Sequence, residues 1–299
     1  MNFITISNIG VNGRLANQLF QYAVLLVFSK IHKVKIKIPV IKTKNEYAQF
    51  RLDELFSNLK YEILSKKDKV LGRYDEQTSH YDEKVYNLGL ILKDKGNLDL
   101  NGWFQSVKYF ENYESLIRKT FVLKKSLIES SKKLINSYKK EGEILIGLHI
   151  RLRDYLDKFN KIIRINVGNN KFLELFKNYF EKKYSKCKFL LISDDINWCK
   201  KNLNKYDNLI YSENNDIIDF CLLTLCDNVV VSPSTFSWWA SYLNTTAKEI
   251  FLPNKWMNPY SSSHIINNQY KLPYNKLKYE LYLNDKKYKL YDPIGFKII

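Results

Sequence analysis

The apolar positions of the N-terminal segment change period as the chain proceeds. Phe3 to Ile6 is a short β-prone run, Asn8 to Gly13 a turn, and Leu15, Leu19, Tyr22, Ala23 and Leu26 recur at helical spacing. Val34, Ile36 and Ile38 then alternate up to Pro39, which gives strand, glycine loop, helix, strand: a βαβ start. Residues 43–142 are mixed and charged, with an aromatic cluster at Asn101-Gly102-Trp103-Phe104-Gln105-Ser106 and a lysine-rich helical pattern from about Ser126 to Lys140. From Ile144 the alternation is cleaner. Strands are expected at 144–150, Phe189 to Ser193, Val229 to Ser232 and Ile250 to Leu252. Helices are expected around the stripe Phe172, Leu175, Phe176, Tyr179 and Phe180, over Asp216 to Cys226, and over Ser237 to Leu243.

Strands separated by helices imply α/β architecture with parallel, doubly wound sheets. A chain of 299 residues that is 45% hydrophobic is long enough for about two domains. The polar stretch Lys139-Lys140-Glu141-Gly142-Glu143 sets the expected boundary, giving domains 1–142 and 143–299. The tail after about Lys271 is rich in Tyr and Lys and is expected to pack across both domains.

Composition narrows the function. No apolar segment approaches the roughly 20 residues of a membrane-spanning helix, and the start MNFITISNIGVNG lacks the pattern of a signal peptide, so a cytoplasmic location is expected. Cys187, Cys199, Cys221 and Cys226 show no CxxC spacing and read as reduced packing residues. The net charge of +17 favours an anionic partner: nucleotide, nucleic acid or the acidic face of a membrane. Lysine is spread along the whole chain, which speaks against a nucleic-acid-binding face.

Four stretches carry candidate chemistry. In Gly147-Leu148-His149-Ile150-Arg151-Leu152-Arg153-Asp154, at the end of a buried strand, Arg151 suits bidentate contact with phosphate and His149 a base or phosphate; the competing reading is a salt bridge to Asp154 with His149 in the core. In Ser232-Pro233-Ser234-Thr235-Phe236, hydroxyls and the N–H groups of a helix start can hold an anion, or simply cap the helix. Ser193-Asp194-Asp195 offers adjacent carboxylates for a metal, a guanine or a ribose, or for a helix cap. Gly13-Arg14-Leu15-Ala16-Asn17-Gln18 is a glycine turn opening a helix, without the spacing of a dinucleotide fingerprint or P-loop. Three strand ends and a helix start with anion-binding groups suit a nucleotide-sugar.

Together these stretches resemble the bacterial α-1,2-fucosyltransferases, the inverting family that also contains the animal blood-group H transferases. GRLANQLFQYA is similar to the family's GRLGNQ…QYA opening, NGWFQSVKYF to its Gly-aromatic-Phe-Gln-Ser segment, and HIRLRDY to its HxRRxDY motif; SDDINWC, STFSWWASYL and PNKW follow in the family order. The resemblance implies a GT-B type fold of two Rossmann-like domains facing a cleft. It implies GDP-fucose as donor, bound mainly by the C-terminal domain with no metal or other cofactor, and an acceptor on the N-terminal side. Carried over, Arg151 matches the arginine on the donor pyrophosphate, and His149 and Asp195, with Asp194 beside it, match positions near the guanine. Ser232, Ser234, Thr235 and Phe236 match the segment beside the β-phosphate and fucose, and Arg14, Asn17 and Gln18 the motif lining the cleft. Three positions depart from the pattern: Leu152 replaces an arginine, Arg153 a glycine, and Ala16 a glycine.

The expected reaction moves L-fucose from GDP-fucose to the 2-hydroxyl of a galactoside in a surface glycan or O-antigen, with lipid-linked glycans as acceptors near the inner face of the membrane. Arg151 is the expected stabiliser of the departing phosphate and Asp154 the candidate base, with Asp53 and Glu46 as further candidates. Two alternatives stay open: the same fold using another nucleotide sugar such as GDP-mannose, and a basic nucleic-acid-binding protein.

Overall fold

A computed structural model describes residues 2–41, 49–77, 81–89, 96–153, 170–253 and 277–281. The N-terminal pattern folds as β1 (Phe3–Thr5), α1 (Leu15–His32) and β2 (Lys35–Pro39). β1 and β2 pair in parallel, with Ile4 opposite Ile36. The helix runs past the expected stripe because Val24, Leu25, Val27 and Phe28 continue it, all fully buried. It stops at Lys33, which adopts a left-handed backbone with φ 55°.

Three strands of the first sheet escape the hydrophobic pattern. After α2 (Leu52–Leu55) come β3 (Glu62–Leu64) and β4 (Gly72–Asp75), and after α3 (Lys84–Asn87) comes β5 (Leu98–Asn101). The parallel order is β3-β2-β1-β5-β4. β3 and β4 are edge strands, largely exposed, so a polar sequence suffices for them. β5 is internal and buries Asp99, which interrupts its apolar run. α4 (Glu114–Thr120) completes this unit.

The second unit begins at Lys125, one helix before the expected boundary near residue 142. That helix, α5 (Lys125–Tyr138), buries Ser131 and Ile135 and packs against a helix of the second sheet. Polarity of 139–143 marked the loop after α5, and the division lies before it.

Six strands follow in the order β11-β10-β9-β6-β7-β8, all parallel. They are β6 (Ile144–Ile150), β7 (Cys187–Ser193), β8 (Leu209–Tyr211), β9 (Asn228–Val230), β10 (Glu249–Pro253) and β11 (Leu277–Leu281). Between them lie α6 (Asn170–Lys183), α7 (Ile196–Asn202), α8 (Asp216–Leu225) and α9 (Thr235–Leu243). β6 and β7 pair over their whole length, from Ile144 opposite Cys187 to Ile150 opposite Ser193. One core joins β6, β7 and α6 through Ile146, Leu148, Phe176, Phe180, Phe189 and Leu191. Gly147 lets α8 lie close to the sheet: a Cβ there would meet Leu223 Cδ2 at 2.8 Å and Cys226 Sγ at 3.0 Å. The four cysteines are free and buried, in line with a packing role. Of the tail, the described part is β11, an edge strand of the second sheet; the rest lies outside the described residues.

Both sheets reverse direction in the middle. In the first the chain steps outward through β1, β2 and β3, then crosses to β4 and returns to β5 beside β1. In the second it steps outward through β6, β7 and β8, then crosses to β9 on the other side of β6. Loops leaving the carboxyl ends of two such neighbours diverge and open a crevice, the usual ligand position in open α/β sheets.

Candidate functional site

The switch point of the second sheet lies between β6 and β9, and the two strongest candidate stretches leave the sheet there. His149 and Ser232 join across it, with Nδ1 2.7 Å from the Ser232 hydroxyl. His149 is 3% exposed, and the Phe236 ring lies over it at 5.4 Å and 31°. Burial, aided by the neighbouring Arg151, pushes its pKa down to about 3, so the ring is neutral at physiological pH. His149 therefore positions groups by hydrogen bonding and packing rather than as a cation. Phe236 is itself held edge-on by Phe220 at 5.4 Å.

Arg151 follows β6 directly and meets Asp194 at the end of β7: Nη1 lies 3.0 Å from Oδ2. The other carboxylate oxygen accepts the Leu152 N–H at 2.7 Å. Both side chains are mostly buried, at 16% and 14% exposure, which strengthens the pair over a surface one. Arg151 thus pairs with Asp194; Asp154, the partner the sequence suggested, lies outside the described residues, as does Glu46. Asp195 caps α7 by accepting the Trp198 N–H at 3.0 Å, the cap reading of its stretch. Among the described residues no three His, Cys, Asp or Glu side chains gather as a metal would need.

Leu152, where the family pattern has arginine, is fully buried and belongs to the core. Arg153 is exposed.

In the third stretch Ser232 is fully buried and Ser234 is 9% exposed, while Thr235 and Phe236 are half-buried. Ser234 occupies the N-cap position of α9 without its side chain accepting a capping hydrogen bond. Its hydroxyl is therefore not committed to the helix end, against the simple capping reading. Ser237 turns inward, donating toward the carbonyls of Ser234 at 3.4 Å and Ser232 at 3.5 Å.

In the first unit, Arg14 is exposed at the N-cap of α1. Gln18 is fully buried, and both ends of its amide are engaged: Nε2 donates to the Gln49 carbonyl at 2.7 Å and Oε1 accepts the Arg51 N–H at 2.9 Å. It anchors the loop before α2. Asn17 accepts from Gln105 Nε2 at 2.8 Å, and Gln21, one turn on, donates to the Gly102 carbonyl at 2.9 Å. The motif thus splices α1 to the loop after β5. Asp53 accepts a hydrogen bond from Tyr61.

Two carboxylates that spacing did not reveal sit elsewhere in the two units. Glu76, following β4, accepts the N–H of Trp103 at 2.7 Å and of Phe104 at 3.1 Å. Burial raises its pKa against those two hydrogen bonds. Asp219, in the first turn of α8, accepts from Ser212, and burial raises its pKa to about 7. Neither had a neighbouring motif to mark it.

Two doubly wound parallel sheets, with an arginine–aspartate pair at the ends of β6 and β7 and an uncommitted helix N-cap after β9, give an α/β fold of the GT-B type. A solved structure of the same class, POFUT1 in complex with GDP, superposes with a TM-score of 0.55 at 14% identity, covering 82% of this chain and 96% of that one. The profile described as Glycosyl transferase family 11 matches residues 2–272, and the chain belongs to that family. An alpha-1,2-colitosyltransferase of Escherichia coli is 23% identical over 254 residues, covering 77% of this chain and 85% of that protein. Galactoside alpha-(1,2)-fucosyltransferase 1 of Homo sapiens is 26% identical over 243 residues, covering 78% and 64% respectively. No described helix is long and apolar enough to cross a membrane.

Proposed function

We propose that the protein transfers L-fucose from GDP-fucose to the 2-hydroxyl of a galactoside, with inversion and without a metal. The observation that carries this reading is the Arg151–Asp194 pair at the carboxyl ends of β6 and β7, beside the β6/β9 switch point, of a family 11 chain whose relatives include galactoside alpha-(1,2)-fucosyltransferases. The donor lies along the carboxyl ends of β6, β7 and β9, and the acceptor is taken by the first unit.

As the anomeric C–O bond breaks, negative charge develops on the departing β-phosphate. A guanidinium held by a carboxylate, together with the N–H groups at the start of α9, is in place before that charge appears and needs no reorganisation. Ser234 and Thr235 contribute hydroxyl contacts to the same phosphate. His149 is neutral and stays so, which suits a donor to a base or sugar and rules it out as the acid. The proton of the acceptor hydroxyl passes to Asp154.

One relative named above is an alpha-1,2-colitosyltransferase of Escherichia coli, so a GDP-linked colitosyl donor is the second reading. Incubation with GDP-fucose and an array of β-galactosides, with products read by mass, tests the first. Excess chelator should leave the rate unchanged; a loss restored by Mg²⁺ or Mn²⁺ refutes the metal-free mechanism. Absence of fucosylated product, with product from a colitosyl or mannosyl donor instead, replaces the donor. The acceptor belongs to a surface glycan or O-antigen, assembled on a lipid carrier, and the +17 charge draws the protein to the anionic membrane face where such carriers reside.

A further inference from the structure

The first sheet has its own switch point, between β1 and β5, and the loops that leave it carry an aromatic side chain that the function described so far does not use. Trp103 follows β5 and is 44% exposed, while its neighbour Phe104 is fully buried. A large exposed indole on a surface loop would ordinarily be mobile, yet this one is fixed from several directions. The main chain that carries the indole is held: the backbone N–H of Trp103 donates to Glu76 Oε2 at 2.7 Å, and the preceding carbonyl, of Gly102, accepts from Gln21 Nε2 at 2.9 Å. Gln105 ties the following turn to Asn17 at 2.8 Å.

The loop after β1 is shaped around the same ring. Gly13 has φ +91°, and a Cβ there would lie 2.6 Å from Trp103 Cζ3 and 2.4 Å from Asn17 Nδ2. The indole edge therefore rests on a backbone position that admits no side chain. Phe104 pays for the geometry with a left-handed backbone, φ 50°, unusual for an aromatic residue. A strained residue, a glycine without room for a Cβ, a half-buried carboxylate and two glutamine amides shape the loop that presents one indole. Packing of the first unit does not require it, because nearly half the ring faces outward.

We propose that Trp103 is the platform on which the acceptor sugar stacks. The apolar C–H face of a galactopyranoside matches a fixed, flat indole, and the crevice at a switch point is where such a ligand sits. This rests on the acceptor assignment made above and adds the residue that reads the acceptor. Asn17 and Gln21, in this arrangement, are positioning residues: they hold the loop that carries the indole.

The test compares wild type, Trp103→Ala and Trp103→Phe. Three quantities are measured: KM for the galactoside, KM for GDP-fucose, and hydrolysis of GDP-fucose without acceptor. Galactoside binding is followed independently of turnover by saturation-transfer NMR. The expected result is an acceptor KM raised ~10-fold or more in Trp103→Ala and partly restored in Trp103→Phe, as a stacking contact predicts. Donor KM and hydrolysis stay at wild-type values. An unchanged acceptor KM in Trp103→Ala, or a shift in donor KM instead, overturns the platform while leaving fucosyl transfer standing. If the wild type transfers nothing yet binds galactosides in a Trp103-dependent way, transfer fails and the platform stands; no galactoside binding by the wild type overturns it.

Discussion

Asp194 holds Arg151 from below: one carboxylate oxygen lies 3.0 Å from Nη1 and the other takes the Leu152 N–H at 2.7 Å. The carboxylate thus fixes both the guanidinium and the backbone turn that leads away from β6. If Arg151 stabilises the leaving phosphate, Arg151→Ala and Arg151→Lys should both lower kcat by roughly 100-fold or more, since lysine lacks the planar fork. Retention of most activity by the lysine variant would refute the bidentate role. Asp194→Asn, which keeps the Leu152 contact but drops the charge, should lower kcat less than either arginine variant while sparing acceptor KM.

His149 links stability to pH with a definite sign. Its folded pKa of about 3 lies below the ordinary value of 6.5, so between these the unfolded chain binds the extra proton. Stability from this group is complete above pH 6.5 and falls as the pH drops toward 3, with a limiting slope of about 1.4 kcal/mol per pH unit. Denaturant titrations of wild type and His149→Gln at pH 7.5, 6 and 5 should converge toward acid; parallel curves would place the imidazole in a more exposed setting. Ser232→Ala leaves the ring nitrogen without its partner and should cost about 1–3 kcal/mol at pH 7.5.

How much of this was legible in sequence depended on whether a residue's job is written in its neighbours. β6 was recoverable to the residue because Leu145 to Ile150 is an unbroken buried run, entered from the half-buried Ile144, between polar segments. β3 and β4 were invisible because edge strands need little apolar content, and β5 because Asp99 interrupts it while accepting from Ser7 at 2.8 and 2.7 Å. At the site, motif resemblance pointed to His149, Arg151, Ser232 and Gln18 alike, and only the structure shows that both amide ends of Gln18 hold main chain. Asp194 emerged as the partner of Arg151 only in three dimensions, since the two lie on adjacent strands.

Gln18 yields a prediction of its own. Truncation to Ala would strand the Gln49 carbonyl and the Arg51 N–H, which are satisfied by the buried amide. Gln18→Ala should therefore destabilise the protein by about 1–3 kcal/mol, seen as a lower melting temperature. If GDP-fucose KM changed with no change in melting temperature, the residue would be a ligand contact after all.

Asp219 carries the opposite pH sign from His149. Burial raises its carboxyl from 3.8 to about 7, against the opposing hydrogen bond from Ser212. The folded state therefore holds a proton that the unfolded chain has released between pH 3.8 and 7. The stability this represents is full below pH 3.8 and is lost as the pH rises through about 7, after which the charged carboxylate is a constant burden. Asp219→Asn retains an oxygen to accept from Ser212 and carries no charge, so it should stabilise the fold at pH 8 by on the order of 1–2 kcal/mol and make little difference at pH 4. Chemical denaturation of the two proteins at both pH values measures the difference directly. A variant less stable than wild type at pH 8 would mean that the carboxylate charge is compensated in place, by the N–H groups of the first turn of α8.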